Sequence, residues 1–136
     1  MLTNELKTRV RYGETDQMGY VYYGNYAQFF EMGRVEWLRN LNTSYKSMEN
    51  RGVMLPVLNL HVNYIKPAKY DDLLTIKTTL IKVPSVKIEF EFEIFNEENI
   101  LLTTGYTSLV FIDIKKNKPI RCPAYLLEII VPLFNQ

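Results

Sequence analysis

The spacing of apolar residues changes period along the chain, and the changes outline its elements. Residues 5–12 (ELKTRVRY) fit a short strand, and residues 13–23 (GETDQMGYVYY) fit a loop containing two glycines. A helical period follows from about Asn25 to Leu41. Tyr26, Phe30, Gly33, Trp37 and Leu41 fall on one stripe, and Phe29, Met32, Val35 and Leu38 widen it. Asn25 and Gln28 have the spacing of a capping box, which predicts the helix start. A helix apolar on several sides is expected to be enclosed by other elements. A shorter helix is predicted over residues 43–51, ending at Gly52.

Beyond Gly52 the period falls to two. Leu58, Leu60, Val62 and Tyr64 alternate with Asn59, His61 and Asn63, and residues 73–83 are rich in Ile, Leu, Thr and Val. In residues 86–95 (VKIEFEFEIF), Val86, Ile88, Phe90, Phe92 and Ile94 share one face, and Lys87, Glu89, Glu91 and Glu93 share the other. That alternation predicts an antiparallel strand with one solvated face. Residues 96–99 form a turn, residues 100–113 another strand, and residues 124–134 a closing helix after Pro123. Long strands joined by short turns predict an antiparallel meander, against which the long helix buries its apolar surface.

A length of 136 residues predicts a single domain over 1–136, large enough for a core without disulfides or a structural metal. The net charge of +1, with no dense Lys/Arg block, gives no support for a nucleic-acid partner. One cysteine, Cys122, rules out an intrachain disulfide and agrees with a reducing compartment. Residues 1–12 lack the apolar core of a signal peptide, and no apolar run approaches the roughly 20 residues of a membrane-spanning helix. Cytoplasm is the expected location.

The chemistry concentrates in residues 12–34, YGETDQMGYVYYGNYAQFFEMGR. An aromatic residue (Tyr12) precedes D-x-x-G-x-V (Asp16, Gly19, Val21), then an Asn-Tyr helix start (Asn25, Tyr26) and an aromatic-rich helix. This pattern, with the later segment VNYIKPAKYDDLL (residues 62–74), resembles the 4-hydroxybenzoyl-CoA thioesterase-like branch of the hotdog superfamily. The resemblance covers nearly the whole chain. It implies an α+β hotdog fold, in which a five-stranded antiparallel sheet wraps around a long central α-helix. It implies hydrolysis of an acyl or aryl thioester of CoA to the free acid and CoA, with CoA entering as part of the substrate and no other cofactor. It further implies a homodimer joined edge to edge, with homotetramers common in the family, and sites at the subunit boundary. Many bacterial relatives carry a histidine seven positions after the aspartate, where this chain has Tyr23.

A thioester carbonyl needs a nucleophile or an activated water, and donors for the oxyanion that develops. Asp16 supplies a carboxylate in a loop just before a helix start, where backbone N–H groups lack internal partners. The resemblance places the main donor on the backbone N–H of Tyr23, with that of Gly24 as a helper. Asp16 attacks directly or acts as a general base toward water. Glu31 is the alternative catalytic carboxylate, because another hotdog branch uses a glutamate on its helix; otherwise it pairs with Arg34 or makes an internal contact. Glu14 reads as a solvated loop charge. Tyr12, Gly19, Val21, Tyr22 and Tyr26 are candidates for lining the substrate pocket, and the tyrosines that crowd the loop, Tyr20, Tyr22, Tyr23 and Tyr26, are equally suited to the pocket or to a subunit contact. Lys82, Ser85 and Lys87 are candidates for the CoA phosphates, and Lys66 and Lys69 are alternatives. His61 has no catalytic motif around it, and a single His and a single Cys do not make a conventional zinc site. The chain lacks a GxSxG elbow, a Walker loop and a dinucleotide fingerprint. Two other functions stand beside acyl-CoA hydrolysis: a thioesterase acting on acyl-carrier protein, and an acyl-thioester binder without turnover. A hotdog dehydratase would need a histidine paired with a carboxylate, a motif His61 lacks.

Overall fold

A computed structural model describes residues 2–135; Met1 and Gln136, which the single-domain expectation includes, lie outside the described residues. The chain begins with β1 (Thr3–Arg9), passes through the loop bearing Asp16, and enters α1 (Tyr26–Arg39). A short α2 (Tyr45–Asn50) and β2 (Val53–Met54) lead to β3 (Val57–Tyr64). Then come β4 (Leu73–Leu80), β5 (Lys87–Phe95), β6 (Leu101–Val110), β7 (Ile112–Asp113), β8 (Lys118–Pro119) and α3 (Ala124–Phe134). The main sheet has five strands in the order β1-β4-β5-β6-β3, and the pairs in its ladder are antiparallel. A small sheet of β2, β7 and β8 sits beside it.

The alternation in β5 sets the layers. Ile88, Phe90, Phe92 and Ile94 are almost fully buried under α1, while Glu89, Glu91 and Glu93 face outward. Each fully buried Phe or Ile contributes roughly 1.5–3 kcal/mol relative to exposure. Helix α1 presents Tyr26, Phe29, Phe30, Gly33, Trp37 and Leu38 to this face. The Phe30 ring stacks on Phe92 at 4.5 Å, and the Trp37 indole N–H donates to the Leu2 carbonyl at 2.9 Å. The sheet curves around the helix; α1 packs mainly against β1, β4 and β5, reaching β6 with Phe30 over Gly105 and β3 with Tyr26 on Tyr64, and Ala27, Gln28 and Glu31 are exposed. The expectation of an enclosed helix is corrected to a helix buried on one face. The least covered strand is β3, whose Leu60, paired with Thr107 on the helix side, is exposed, as is Leu58 at the bulge. None of the helices is long and apolar enough to cross a membrane among the described residues.

The predicted capping box does not form. Asn25 makes no capping hydrogen bond, and a short 3-10 turn over Tyr23–Asn25 precedes α1. The Asn25 side chain instead donates to the Glu14 carbonyl at 2.8 Å, tying the helix start to the Asp16 loop. The long strand predicted over 100–113 is interrupted at Phe111, and its last two residues join the small sheet.

Candidate active site

The loop from Tyr12 to Tyr22 is folded by its own polar groups. A 3-10 turn over Tyr12–Glu14 opens it, and the Thr15 hydroxyl donates to the Tyr12 carbonyl at 2.7 Å. Thr15 and Val21 then face each other in an antiparallel bridge. The Asp16 N–H donates to the Tyr20 carbonyl at 2.8 Å, and the Gly19 N–H to the Asp16 carbonyl at 3.0 Å. Gly19 sits at φ +80°, a conformation that favours glycine and explains the residue at this tip. A second bridge, Tyr20 to Lys69, pins the tip to the segment entering β4.

Glu14 is buried, against the expectation of a solvated charge. Its carboxylate accepts from the Arg11 N–H at 2.8 Å and from the Arg11 guanidinium at 3.3 Å. Its carbonyl accepts from the Tyr22 N–H at 2.9 Å and from the Asn25 amide. Glu14 therefore joins both ends of the loop to the start of the helix.

Asp16 is half-buried in this frame. Its Oδ1 accepts from the N–H of Met18 at 2.9 Å and of Tyr20 at 3.3 Å, which fixes the carboxylate plane. Its Oδ2 accepts no hydrogen bond from the described residues. The carboxylate borders a cavity of about 280 Å³ whose other walls include Met18, Val21, Tyr23, Tyr26, Tyr64 and Ile65. Tyr26 forms a buried part of the wall; burial pushes its hydroxyl above the usual tyrosine range, so it stays protonated at neutral pH. The Tyr64 hydroxyl donates to the Tyr23 carbonyl at 3.2 Å, which anchors the 3-10 turn from the side of β3. The N–H groups of Tyr23 and Gly24 donate to no backbone acceptor among the described residues. They belong to the 3-10 turn rather than to the first turn of α1. A carboxylate with one free oxygen, beside an apolar cavity and unpaired amides, has the parts needed to open an activated carbonyl.

The structure brings Asp16, Val21, Tyr23 and Tyr26 to this cavity. Tyr12 and Gly19 line a second depression that also reaches Asp16. Tyr22 lines neither; its ring packs beside Gly24 and against Tyr23 at 4.8 Å. Glu31 lies on the exposed side of α1, in a groove with Arg34 and Tyr45, where the Arg34 Nε donates to the Tyr45 hydroxyl at 3.1 Å. It neither pairs with Arg34 nor faces the Asp16 cavity.

Lys82, Ser85 and Lys87 sit around the bend between β4 and β5. The Asp16 loop meets the opposite end of β4, so the eight residues of that strand separate the two by roughly 26 Å within one chain. Lys82 is paired there with Glu89 at 3.0 Å. Lys66, by contrast, lines the Asp16 cavity. Tyr20, a pocket or subunit-contact candidate from the sequence, lines this cavity, whereas sequence reasoning missed Met18, Tyr64, Ile65 and Pro67 in its wall. Their only signal was a cluster of apolar residues around the tip and just past the end of β3. Cys122 is buried, and burial pushes its thiol up to about 12, which leaves it no nucleophilic role at neutral pH.

Comparisons with known proteins bear on the family and the fold. A family model described as the thioesterase-like superfamily matches residues 10–130. The acyl-CoA thioester hydrolase YbgC of Escherichia coli is 35% identical over 115 residues, which covers 85% of this chain and 86% of that protein. The crystal structure of DHNA-CoA thioesterase from Staphylococcus aureus matches with a TM-score of 0.93 and 37% identity, over 99% of this chain and 93% of that one. A mutant 4-hydroxybenzoyl CoA thioesterase, solved in complex with 4-hydroxybenzoyl CoA, matches with a TM-score of 0.84 at 19% identity, over 95% of this chain and 99% of that one; it shares the fold.

Proposed function

The chain belongs to the thioesterase-like superfamily of hotdog proteins, and from that premise we propose that it hydrolyses acyl-CoA thioesters, with Asp16 as the reacting carboxylate. The observation that carries this reading is the asymmetry of Asp16. Oδ1 is held by two backbone amides while Oδ2 stands free at the wall of an apolar cavity. A carbonyl placed there would have its oxygen against the Tyr23 and Gly24 N–H groups, which would carry the developing negative charge.

Two routes use the same atoms. In one, Oδ2 attacks the carbonyl carbon, the C–S bond breaks, and CoA leaves as a thiolate that takes a proton. The resulting mixed anhydride is then opened by water. In the other, Asp16 takes a proton from water, the hydroxide attacks, and the proton passes to the departing sulfur. Both consume one water and yield a carboxylic acid and a free thiol. Neither route uses a metal or a redox cofactor. Turnover in ¹⁸O-water tests the first route: water that opens the anhydride at the Asp16 carboxyl carbon leaves label in that carboxylate, whereas the general-base route puts label only in the product acid.

The names of the relatives support CoA as the carrier. An acyl-carrier-protein thioesterase, or a binder without turnover, would use the same cavity. The edge-to-edge dimer, and tetramers built from it, belong to this proposal, as does a cytoplasmic location. Purified protein given short, long and aromatic acyl-CoAs should release thiol, and Asp16→Asn should lower kcat by about 10²–10⁴-fold. Activity of that variant within a few-fold of the parent would remove Asp16 from the chemistry. Binding of every acyl-CoA without release of thiol would leave a binder. Turnover confined to acyl-carrier protein would move the substrate class.

A further inference from the structure

The two residues that carry the unpaired amides have no side-chain anchor of their own. Tyr23 is 65% exposed, and Gly24 has no side chain. They lie in a 3-10 turn of only three residues, Tyr23–Asn25, and such turns have poorer hydrogen-bond geometry than an α-helix. Their position is therefore set from outside. On one side the Glu14 carbonyl accepts from the Tyr22 N–H and the Asn25 amide. On the other the Tyr64 hydroxyl donates to the Tyr23 carbonyl at 3.2 Å, from 41 residues away in sequence. Among the described residues this is the one hydrogen bond between the turn and the main sheet.

We propose that Tyr64 is a positioning residue for the hydrolysis, its hydroxyl at the end of β3 setting the orientation of the Tyr23 and Gly24 amides as oxyanion donors. This rests on those amides receiving the carbonyl oxygen of the substrate.

The peptide group carries the effect. The Tyr23 carbonyl and the Gly24 N–H share one planar unit, so holding the oxygen fixes the plane in which that N–H lies. Carbonyls of a helical turn point to its C-terminal end and N–H groups to its N-terminal end. Tyr64 thus grips the end opposite the donors and leaves them free. A hydrogen bond received at the carbonyl also polarises the amide and strengthens its N–H as a donor. The Tyr23 carbonyl accepts from the Tyr26 N–H as well, but that bond ties the turn only to the helix that follows it.

Tyr64 is itself well fixed. It is the last residue of β3, and its backbone pairs with Thr103 on β6. Its ring meets the buried Tyr26 ring edge to face at 5.2 Å, which aims the hydroxyl. Burial first, and Tyr23 second, raise its pKa above the usual tyrosine range, so the hydroxyl keeps the proton it donates at neutral pH. The residue is 53% exposed, and a hydrogen bond open to water adds little to folding stability. The fold alone would be served by phenylalanine.

The test compares Tyr64→Phe with the parent on two CoA esters of one acyl group, a thioester and a dithioester. In the second, sulfur replaces the carbonyl oxygen and accepts hydrogen bonds weakly. With the thioester, Tyr64→Phe should lower kcat about tenfold and leave KM within about twofold, since a misplaced group costs rate. With the dithioester the loss should shrink to about twofold, because the amides contribute little to its rate. The thermal midpoint and sedimentation of the variant should match those of the parent. Equal losses on both esters would make Tyr64 a structural residue and overturn the proposal. So would an unchanged kcat, or a rise in KM with kcat intact, which would make the hydroxyl a substrate contact. Asp16→Asn, measured in parallel, reports on the reacting group and should lower both esters alike. If it retains turnover while Tyr64→Phe still separates the two esters, the reading of Asp16 fails and that of Tyr64 stands.

Discussion

Gly33 shows how one residue fixes the distance between two layers. A Cβ at this position would lie 3.0 Å from the Ile76 methyl and closer still to the Thr78 hydroxyl, both on β4. Alanine is favoured over glycine in a helix interior by about 1 kcal/mol. Overpacking a dense core typically costs about 1–3 kcal/mol. The clash involves short side chains anchored in a central strand, which have little room to yield. Gly33→Ala should therefore lower stability by about 1–2 kcal/mol net, read as a lower urea midpoint at unchanged slope. A higher midpoint would mean that β4 relaxes. The sequence places Gly33 on the apolar stripe of the helix. That the contacts are Thr78 and Ile76 depends on strand register, which no local pattern specifies. The role of Glu14 was hidden for a similar reason, since the amides that surround it are assembled only when the loop closes.

Elements were most legible where one physical preference acted alone. The strict alternation of β5 gave its span to within a residue, because one face is buried and the other wet. The start of α1 was harder to read. Asn25 has the right type and spacing for a cap, yet its side chain is used to hold the Glu14 carbonyl, a contact eleven residues away in sequence. Asn25→Ala should then act mainly on the active loop. We expect kcat to fall about tenfold with KM little changed, because misplacing a reacting group costs rate, and the thermal midpoint should move little, since no cap is lost. A rise in KM with kcat intact would point to substrate binding instead.

On the outer face of the same sheet, Tyr106 donates to Glu89 at 2.6 Å and Lys82 pairs with it at 3.0 Å. The Tyr106 hydrogen bond first, and Lys82 second, hold the Glu89 carboxyl below its usual range. A carboxyl lowered in the folded state stabilises the protein above its unfolded pKa, and that contribution is lost as pH falls through the folded value. Glu89→Gln should thus cost about 1 kcal/mol at pH 7, a figure already reduced for the exposed lysine. The difference from the parent should close below the ordinary carboxylate range. A difference that persists in strong acid would assign the effect to packing rather than to charge.

The whole molecule has two unequal sheet edges. β1 carries Glu5, Lys7 and Arg9, charges of the kind that discourage pairing with another chain. β3 is an edge strand of eight residues, VLNLHVNY, without a Lys, Arg, Asp, Glu or Pro. It is also the strand that α1 covers least, so Leu60 is 39% exposed on the helix side, with Leu58 at the bulge 50%, Tyr64 53% and Ile65 52% exposed. The alternation of residues 57–66 was plain in the sequence, but an alternating strand reads the same whether its apolar face is covered by its own chain or by another. An open backbone edge next to an apolar strip matches a second copy of the same edge, which would continue the sheet and bury both strips. Tyr64 and Ile65 line the Asp16 cavity, so such a contact would close the active site on the side that is open in one chain. Leu60→Lys places a charge in the middle of this strip while leaving the core of its own chain intact. At ~10 μM the parent should sediment as a dimer or a multiple of it, and the variant as a monomer, given that a desolvated lysine opposes association by several kcal/mol. The variant should keep its far-UV spectrum and lose acyl-CoA turnover in step with dissociation, with activity returning at higher protein concentration. A parent that sediments as a fully active monomer would show that one chain holds a complete site and that the bare edge serves something other than self-association.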